Sequence, residues 1–191
     1  SGARFTFIAM IILVLAWSMS EISRELHTAD FLIASLGDSL PAAALPAIIF
    51  VLAAFTAFST GSSWGAMGIL LPLVLPLCWA IMGLEGLIAS EDYFILYASV
   101  SGVLTGAVWG DHCSPISDTT VMSSLSAGCD HIEHVRTQLP YALLAGAAAL
   151  GFGTLPISFG LPWWVGMLLA AAVTSIGLRL LGQRIPDYRP D

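Results

Sequence analysis

From residue 42 to residue 82 the chain carries no Asp, Glu, Lys or Arg. A helix crosses the hydrocarbon of a bilayer with about 20 apolar residues. This stretch is too long for one crossing and is expected to split into two. The whole chain supports a lipid setting: 57% of its 191 residues are hydrophobic, 10% are charged and the mean hydropathy is +0.87. A soluble domain carries about 25% charged residues, and a compact fold of this length would still expose about a third of its chain surface. The apolar excess must face lipid. We therefore expect an all-α integral membrane protein, with residues 1–191 forming a single membrane domain and residues 183–191 a polar tail.

Charge removes further classes. Six basic residues, all Arg, stand against 13 acidic ones, for a net charge of −7. That excludes nucleic acid as a partner, since such binding needs clustered cations to displace counterions. It also speaks against a peripheral protein held to anionic lipid by a polybasic face. Cys78, Cys113 and Cys129 are odd in number, lie in or beside apolar stretches, and read as packing thiols. The chain opens with Ser1, which reads as a processed product or an excised piece. Arg4 and the apolar residues behind it imitate a secretory signal, but Glu21, Arg24 and Glu25 close that segment where a small-residue cleavage site would stand.

About six membrane segments are expected. The first runs from about residue 5 to residue 26, ending in charges that are solvated or snorkelling, with Glu21 a minor candidate proton carrier. Pro41 suits the first turn of the next helix. The charge-free stretch divides at residues 59–65, and Glu85, Glu91 and Asp92 mark an aqueous turn. Residues 93–109 form another apolar segment, followed by a polar stretch at 110–120 and a short helix at 121–127. The charged residues 130–136 read as a surface linker. Residues 139–159 and 163–181 are two further crossings joined by a tight turn at Gly160, Leu161 and Pro162. Arg179, Arg184 and Arg189 point to a cytoplasmic C-terminus by the positive-inside rule.

The pattern T-G-x-x-W-G occurs twice, at residues 60–65 and 105–110. It reads either as coincidence or close helix packing in a glycine-rich chain, or as two corresponding helix breaks of the kind that mark a transporter's binding site. On the second reading Gly65 and Gly110, with Pro115, are helix-break residues. Residues 61–65 also match G-x-S-x-G, but that elbow needs a strand feeding a helix, and both flanks here are helix-like. No other hydrolase or metalloprotease pattern is present, so an enzyme is not expected.

The stretch from Asp111 to Thr120 carries the most chemistry. Pro115 lacks an N–H and clashes with a continuing helix. Unpaired backbone in hydrocarbon costs several kcal/mol per group, so it persists only against protein or water. Freed carbonyls, the hydroxyls of Ser114, Ser117, Thr119 and Thr120, and the carboxylates of Asp111 and Asp118 together suit a hard cation such as Na⁺. Thr60, Gly61, Ser62 and Ser63 would add oxygens from the other interruption. Burial disfavours the charged form of a carboxyl group, so proton and sodium would compete for one site. The plain alternatives stay open: Asp118 as a helix cap, Asp111 as a solvated boundary residue. His112 and Cys113 lack the companions a zinc site needs, while His131 and His134, with Asp130 and Glu133, make at most a weak surface metal site.

The stretches W-G-D-H-C-S-P-I-S-D-T-T at residues 109–120 and A-F-S-T-G-S-S-W-G at residues 57–65 resemble the C-terminal half of NhaC-type Na⁺/H⁺ antiporters, within the ion-transporter superfamily. The likeness runs from about residue 11 to residue 144. It implies one half of an inverted-repeat transporter with interrupted or re-entrant helices, in which Asp111, Asp118, Thr119 and the loop at 60–63 line the cation site. Members carry about twice this much chain, so a missing N-terminal half or a homodimer partner is implied. The expected function is Na⁺/H⁺ antiport across the inner (cytoplasmic) membrane, with Na⁺ and H⁺ as cargo, Asp111 and Asp118 as Na⁺ ligands, and no cofactor. The alternatives are Na⁺- or H⁺-coupled exchange of a small organic carboxylate, and a non-transporting membrane subunit.

Overall fold

A computed structural model describes residues 40–182 and isolated positions between residues 14 and 34. Both the first expected membrane segment, at 5–26, and the polar tail at 183–191 lie largely or wholly outside the described residues. Within them the chain is helical: a 3₁₀ turn Ala42–Ala44, α1 Leu45–Thr60, α2 Ser63–Leu84, α3 Tyr93–Cys113, α4 Asp118–Ala127, α5 His131–Ala148, a π-helical segment Ala149–Thr154, α6 Leu155–Ser158 and α7 Trp163–Leu181. Five stretches among the described residues are long and apolar enough to span a membrane: Ala42–Thr60, Ser63–Leu84, Ser90–Cys113, His131–Ser158 and Trp163–Leu180. The apolar side chains that α7 and its neighbours leave exposed, Trp163, Leu168 and Leu180 among them, are what a lipid-facing surface requires.

The charge-free stretch divides where expected. Gly61 takes φ +67°, a left-handed conformation, and its N–H bonds to Ala57 to close α1. Glycine adopts this geometry without the Cβ penalty that other residues meet. Ser62 then caps α2, its Oγ accepting from the Gly65 N–H at 3.2 Å.

The central pair is α1 with α3. The positions Gly102, Gly106 and Gly110 lie four residues apart on one face of α3, against the carbonyls of Pro46, Phe50 and Ala54 on α1. A Cβ at Gly102 would stand 2.8 Å from the Pro46 oxygen, and the other two positions are tighter still. Small residues at this spacing let two helix backbones approach closely. Because both sets of numbers rise together, the two helices run parallel in one fixed register. The next rung is Ser114, whose hydroxyl donates to the Phe58 carbonyl at 2.8 Å, again 56 positions away.

Around this pair, α2 closes an apolar core of Leu45, Ile49, Val74, Cys78, Ile81, Met82, Ile95 and Val103. Glu85, just past the end of α2, accepts from the Ala42 N–H at 2.8 Å and ties the start of the bundle down. On the other side Trp109 joins three helices. Its ring stacks on Phe50 at 5.6 Å, its Nε1–H donates to the Ala142 carbonyl at 2.7 Å, and Gly146 of α5 leaves room for its face.

Several expectations need correction. Gly110 is not a break; it is a packing position inside α3. Gly65 likewise sits inside the first turn of α2, where its N–H serves the cap. The second T-G-x-x-W-G, at 105–110, is wholly helical, so the two copies are not corresponding interruptions. The register pairs the end of α1 with residues 114–116, not with Thr105. The charged residues 130–136 are no linker: Asp130 caps α5, its Oδ1 accepting from the Glu133 N–H at 3.0 Å, and the helix continues to Ala148. The segment at 139–159 is not one regular helix, since a π segment separates α5 from α6.

Replacing Gly106 or Gly110 with Val should lower stability by about 1–3 kcal/mol or more, because backbone on α1 cannot yield as a side chain would. Gly83→Ala, at a helical position with open space, should instead raise it by about 0.5–1 kcal/mol. Thermal unfolding of the purified protein in detergent reads both.

Candidate functional site

The site forms where α1 and α3 end side by side. Helix α3 stops at Cys113; Ser114, Pro115, Ile116 and Ser117 are unwound, and α4 begins at Asp118. Pro115 prevents the helix from running on, and Ser117 supplies the new start, its Oγ accepting from the Thr119 N–H at 3.2 Å. Ser117, rather than Asp118, is therefore the cap. The two interruptions touch: the backbone of Ile116 packs on Gly61, whose hypothetical Cβ would lie 2.8 Å from the Ile116 oxygen.

Asp111 is buried in the last turn of α3, 5% exposed. Its Oδ1 accepts from the Ser117 hydroxyl at 2.8 Å and its Oδ2 from the Thr119 hydroxyl at 2.9 Å. The two hydroxyl oxygens are themselves 2.8 Å apart. These three contacts form a closed ring of oxygens. An ionised carboxylate donates nothing, and each hydroxyl has one proton, so two protons must serve three contacts. A proton on Asp111 completes the ring, each oxygen group donating to the next. A small cation drawing on the same lone pairs would relieve the unfilled contact equally well.

The other expected residues separate into three groups. Ser114 and Pro115 hold the loop: the Ser114 hydroxyl is committed to Phe58, and the Pro115 carbonyl accepts from His131 Nε2 at 2.7 Å. Thr120, the next residue after Thr119, is buried, and its hydroxyl has no hydrogen-bond partner. Asp118 is exposed whereas Asp111 is buried, and no hydrogen bond joins the two. In the other interruption, Thr60 turns its hydroxyl back to the Thr56 carbonyl at 2.9 Å and Ser62 is spent on its own cap. Ser63 makes no side-chain hydrogen bond. That loop meets the unwound segment where Gly61 packs on the Ile116 backbone.

Three contacts were not foreseen. His131 reaches the unwound loop, Gln138 Nε2 donates to the His112 carbonyl at the end of α3 at 2.5 Å, and Trp109 clamps α5. All three bridge residues far apart in the chain, so no local pattern signals them. Among the described residues no three His, Cys, Asp or Glu side chains gather as metal ligands, and His131 spends both ring nitrogens on protein partners. The cleft between α1, α3 and α5, about 520 Å³, is lined by Phe50, Phe55, Phe58, Trp109 and Leu143 and offers no charged group. The G-x-S-x-G match at 61–65 lies between two helices, without the strand its elbow needs.

Helices of this length and composition fit a multi-pass membrane protein. The comparison with known proteins agrees: the model of the Na⁺/H⁺ antiporter family matches residues 1–157, and the chain belongs to that family. It is 43% identical over 145 residues to an uncharacterized protein of Haemophilus influenzae, covering 75% of this chain and 26% of that protein. It is 36% identical over 107 residues to an uncharacterized Na⁺/H⁺ antiporter of the same organism, covering 53% and 20%. A malate-2H⁺/Na⁺-lactate antiporter of Bacillus subtilis is 31% identical over 90 residues, covering 47% and 17%. The matches thus span about a quarter or less of these relatives' own lengths. No solved structure matches the chain.

Gly61→Ala should separate the two interruptions, combining a strained left-handed backbone with a clash on Ile116. We expect a loss of about 1–3 kcal/mol and faster amide hydrogen exchange across residues 114–120, read by mass spectrometry.

Proposed function

We propose that this chain is the cation-handling part of a Na⁺/H⁺ antiporter of the inner membrane, and that Asp111 accepts a proton and Na⁺ in alternation. The oxygen ring of Asp111, Ser117 and Thr119 carries this reading. It is one proton short when the carboxylate is ionised, and its members are hard oxygen donors of the type an alkali cation takes. Ionisable groups among membrane helices are functional by default, since their burial is costly. Thr120, with its hydroxyl unpartnered, is a further oxygen for the ion. Asp118 raises the local negative charge from the solvent side. Thr60, Ser62 and Ser63 support the neighbouring turn more than they serve as ligands.

Exchange requires that the ring open alternately to the two sides, with one occupant excluding the other. Family membership supports antiport in general. The transport cycle, the companion half or homodimer partner and the membrane of residence are parts of the proposal.

The Bacillus subtilis relative, whose name specifies malate and lactate, favours a second reading in which an organic carboxylate is exchanged. The site gives it less support. Helix α4 would present its N-terminus to such an anion, but Asp118 sits in that first turn. An anion there would meet like charge.

The test is Na⁺-driven proton flux in proteoliposomes made with the complete gene product. Asp111→Asn should reduce the flux to background. Asp118→Asn, at an exposed position, should lower it by about threefold or less, since a solvated charge contributes under about 1 kcal/mol. Wild-type flux in Asp111→Asn would overturn the proposal. Flux that requires malate or lactate would establish the second reading.

A further inference from the structure

The geometry points to His131 as a positioning residue that fastens the unwound Ser114–Ser117 segment to α4, with a hold that depends on the protons carried by its ring. This rests on the proposed function in one respect, that the segment it fastens flanks the ion site.

His131 opens α5, sixteen residues beyond Pro115. Its Nε2 stands 2.7 Å from the Pro115 carbonyl, and its Nδ1 stands 3.1 Å from the Ser124 hydroxyl on α4. A carbonyl oxygen only accepts, so Nε2 must carry a hydrogen. The Ser124 hydroxyl is also 2.8 Å from the Val121 carbonyl and donates to it. Ser124 has a single proton. With a neutral ring, Nδ1 needs that proton and the Val121 carbonyl loses it, or Val121 keeps it and Nδ1 faces the hydroxyl oxygen without a hydrogen between them. With a doubly protonated ring, Nδ1–H donates to Ser124, Ser124 donates to Val121 and Nε2–H donates to Pro115. All three contacts are then filled. The charged ring is the complete tether, and the neutral ring is one hydrogen bond short.

The tether is built into a rigid corner. Gly128, with φ +64°, closes α4, and the Cys129 N–H returns to the Ser124 carbonyl at 3.1 Å. Asp130 caps the helix that His131 begins. The ring therefore reaches back over α4 from a fixed point. Titratable and charged groups on the elements around it are Glu133, His134, Arg136 and Tyr141 on its own helix and Cys129 and Asp130 in the turn. Asp118 on α4, Asp111, His112 and Cys113 at the end of α3, and Arg179 on α7 complete the set. The ring's own hydrogen bonds go to none of these. What it holds is Pro115, two residues before the Ser117 hydroxyl that bonds Asp111.

The experiment uses the complete gene product in proteoliposomes and nanodiscs, over a series of pH values from acid to alkaline. Na⁺ is the probe. His131→Ala should raise the KM for Na⁺ about tenfold, as expected for losing hydrogen bonds at a site that must be held in place, with a smaller change in kcat. His131→Gln keeps a donor for the Pro115 carbonyl but does not titrate. It should recover most of the lost affinity and remove the histidine limb from the pH profile of KM. Ser124→Ala should flatten the same limb while the bond to Pro115 persists, and it serves if His131→Ala fails to fold. A KM and pH profile unchanged in His131→Gln and Ser124→Ala overturn the inference. Hydrogen exchange across residues 113–120 gives a second readout that needs no transport. After correction for intrinsic rates, protection should fall as pH rises in the wild type and stay level in His131→Gln. A pH response in exchange without Na⁺-driven flux removes the proposed function and leaves the tether standing. Flux with no such response in exchange removes the tether.

Discussion

The close contact of α1 with α3 is the constraint on which the rest depends. Glycines at 102, 106 and 110 bring the backbone of α3 onto the carbonyls of residues 46, 50 and 54. Lipid tails are as apolar as the side chains of a membrane helix, so apolarity alone cannot choose between registers. Backbone fit can. A shift by one residue would put a Cβ against a carbonyl at each rung. With the register set, both helices end at one level, Ser114 finds the Phe58 carbonyl, and Gly61 meets Ile116. The carboxylate of Asp111 is buried in the last turn of α3, beside the unwound residues 114–117.

Polar groups near the break are used economically. The freed carbonyls of Phe58 and Pro115 are both taken, by Ser114 and His131. The proposed cation site draws instead on the side-chain ring around Asp111, and the Thr120 hydroxyl is buried without a partner. Unsatisfied polar groups in a low-dielectric interior are costly, and each such group in a native protein calls for an explanation. A site that alternates between occupants supplies one, since no fixed partner can be present in every state.

Much of this was legible in the sequence, for local reasons. Pro115 and the glycines at 59–65 are punctuation marks whose backbone requirements act on their own neighbours, so both interruptions were placed from residue type, although the break between α1 and α2 falls at Gly61 and not at the expected Gly65. Asp111 stood out because a carboxylate at the end of an apolar run is costly. The failures share another cause. The echo at 60–65 and 105–110 fitted both close packing and paired breaks, and Gly110, which answers to a carbonyl on another helix, follows the packing alternative. The charges at 130–136 looked like a solvated linker because composition cannot report that Asp130 caps a helix whose next residue reaches back sixteen positions. Asp111 and Asp118 looked like a pair along the chain. The turn at Ser117 sends one inward and the other out.

The parallel pair has a mechanical implication. Helices meshed through glycines at every fourth residue cannot glide past each other by small amounts; the next equivalent fit lies four residues away, about 6 Å along the axis. Helices α1 and α3 thus behave as one stiff rod bearing both unwound tips. Any swing that turns the acid from one face of the bilayer to the other has to bend at joints elsewhere. Pro72 and Pro76 inside α2, Pro140 inside α5 and the π segment after it are places where the helical hydrogen-bond ladder is already irregular.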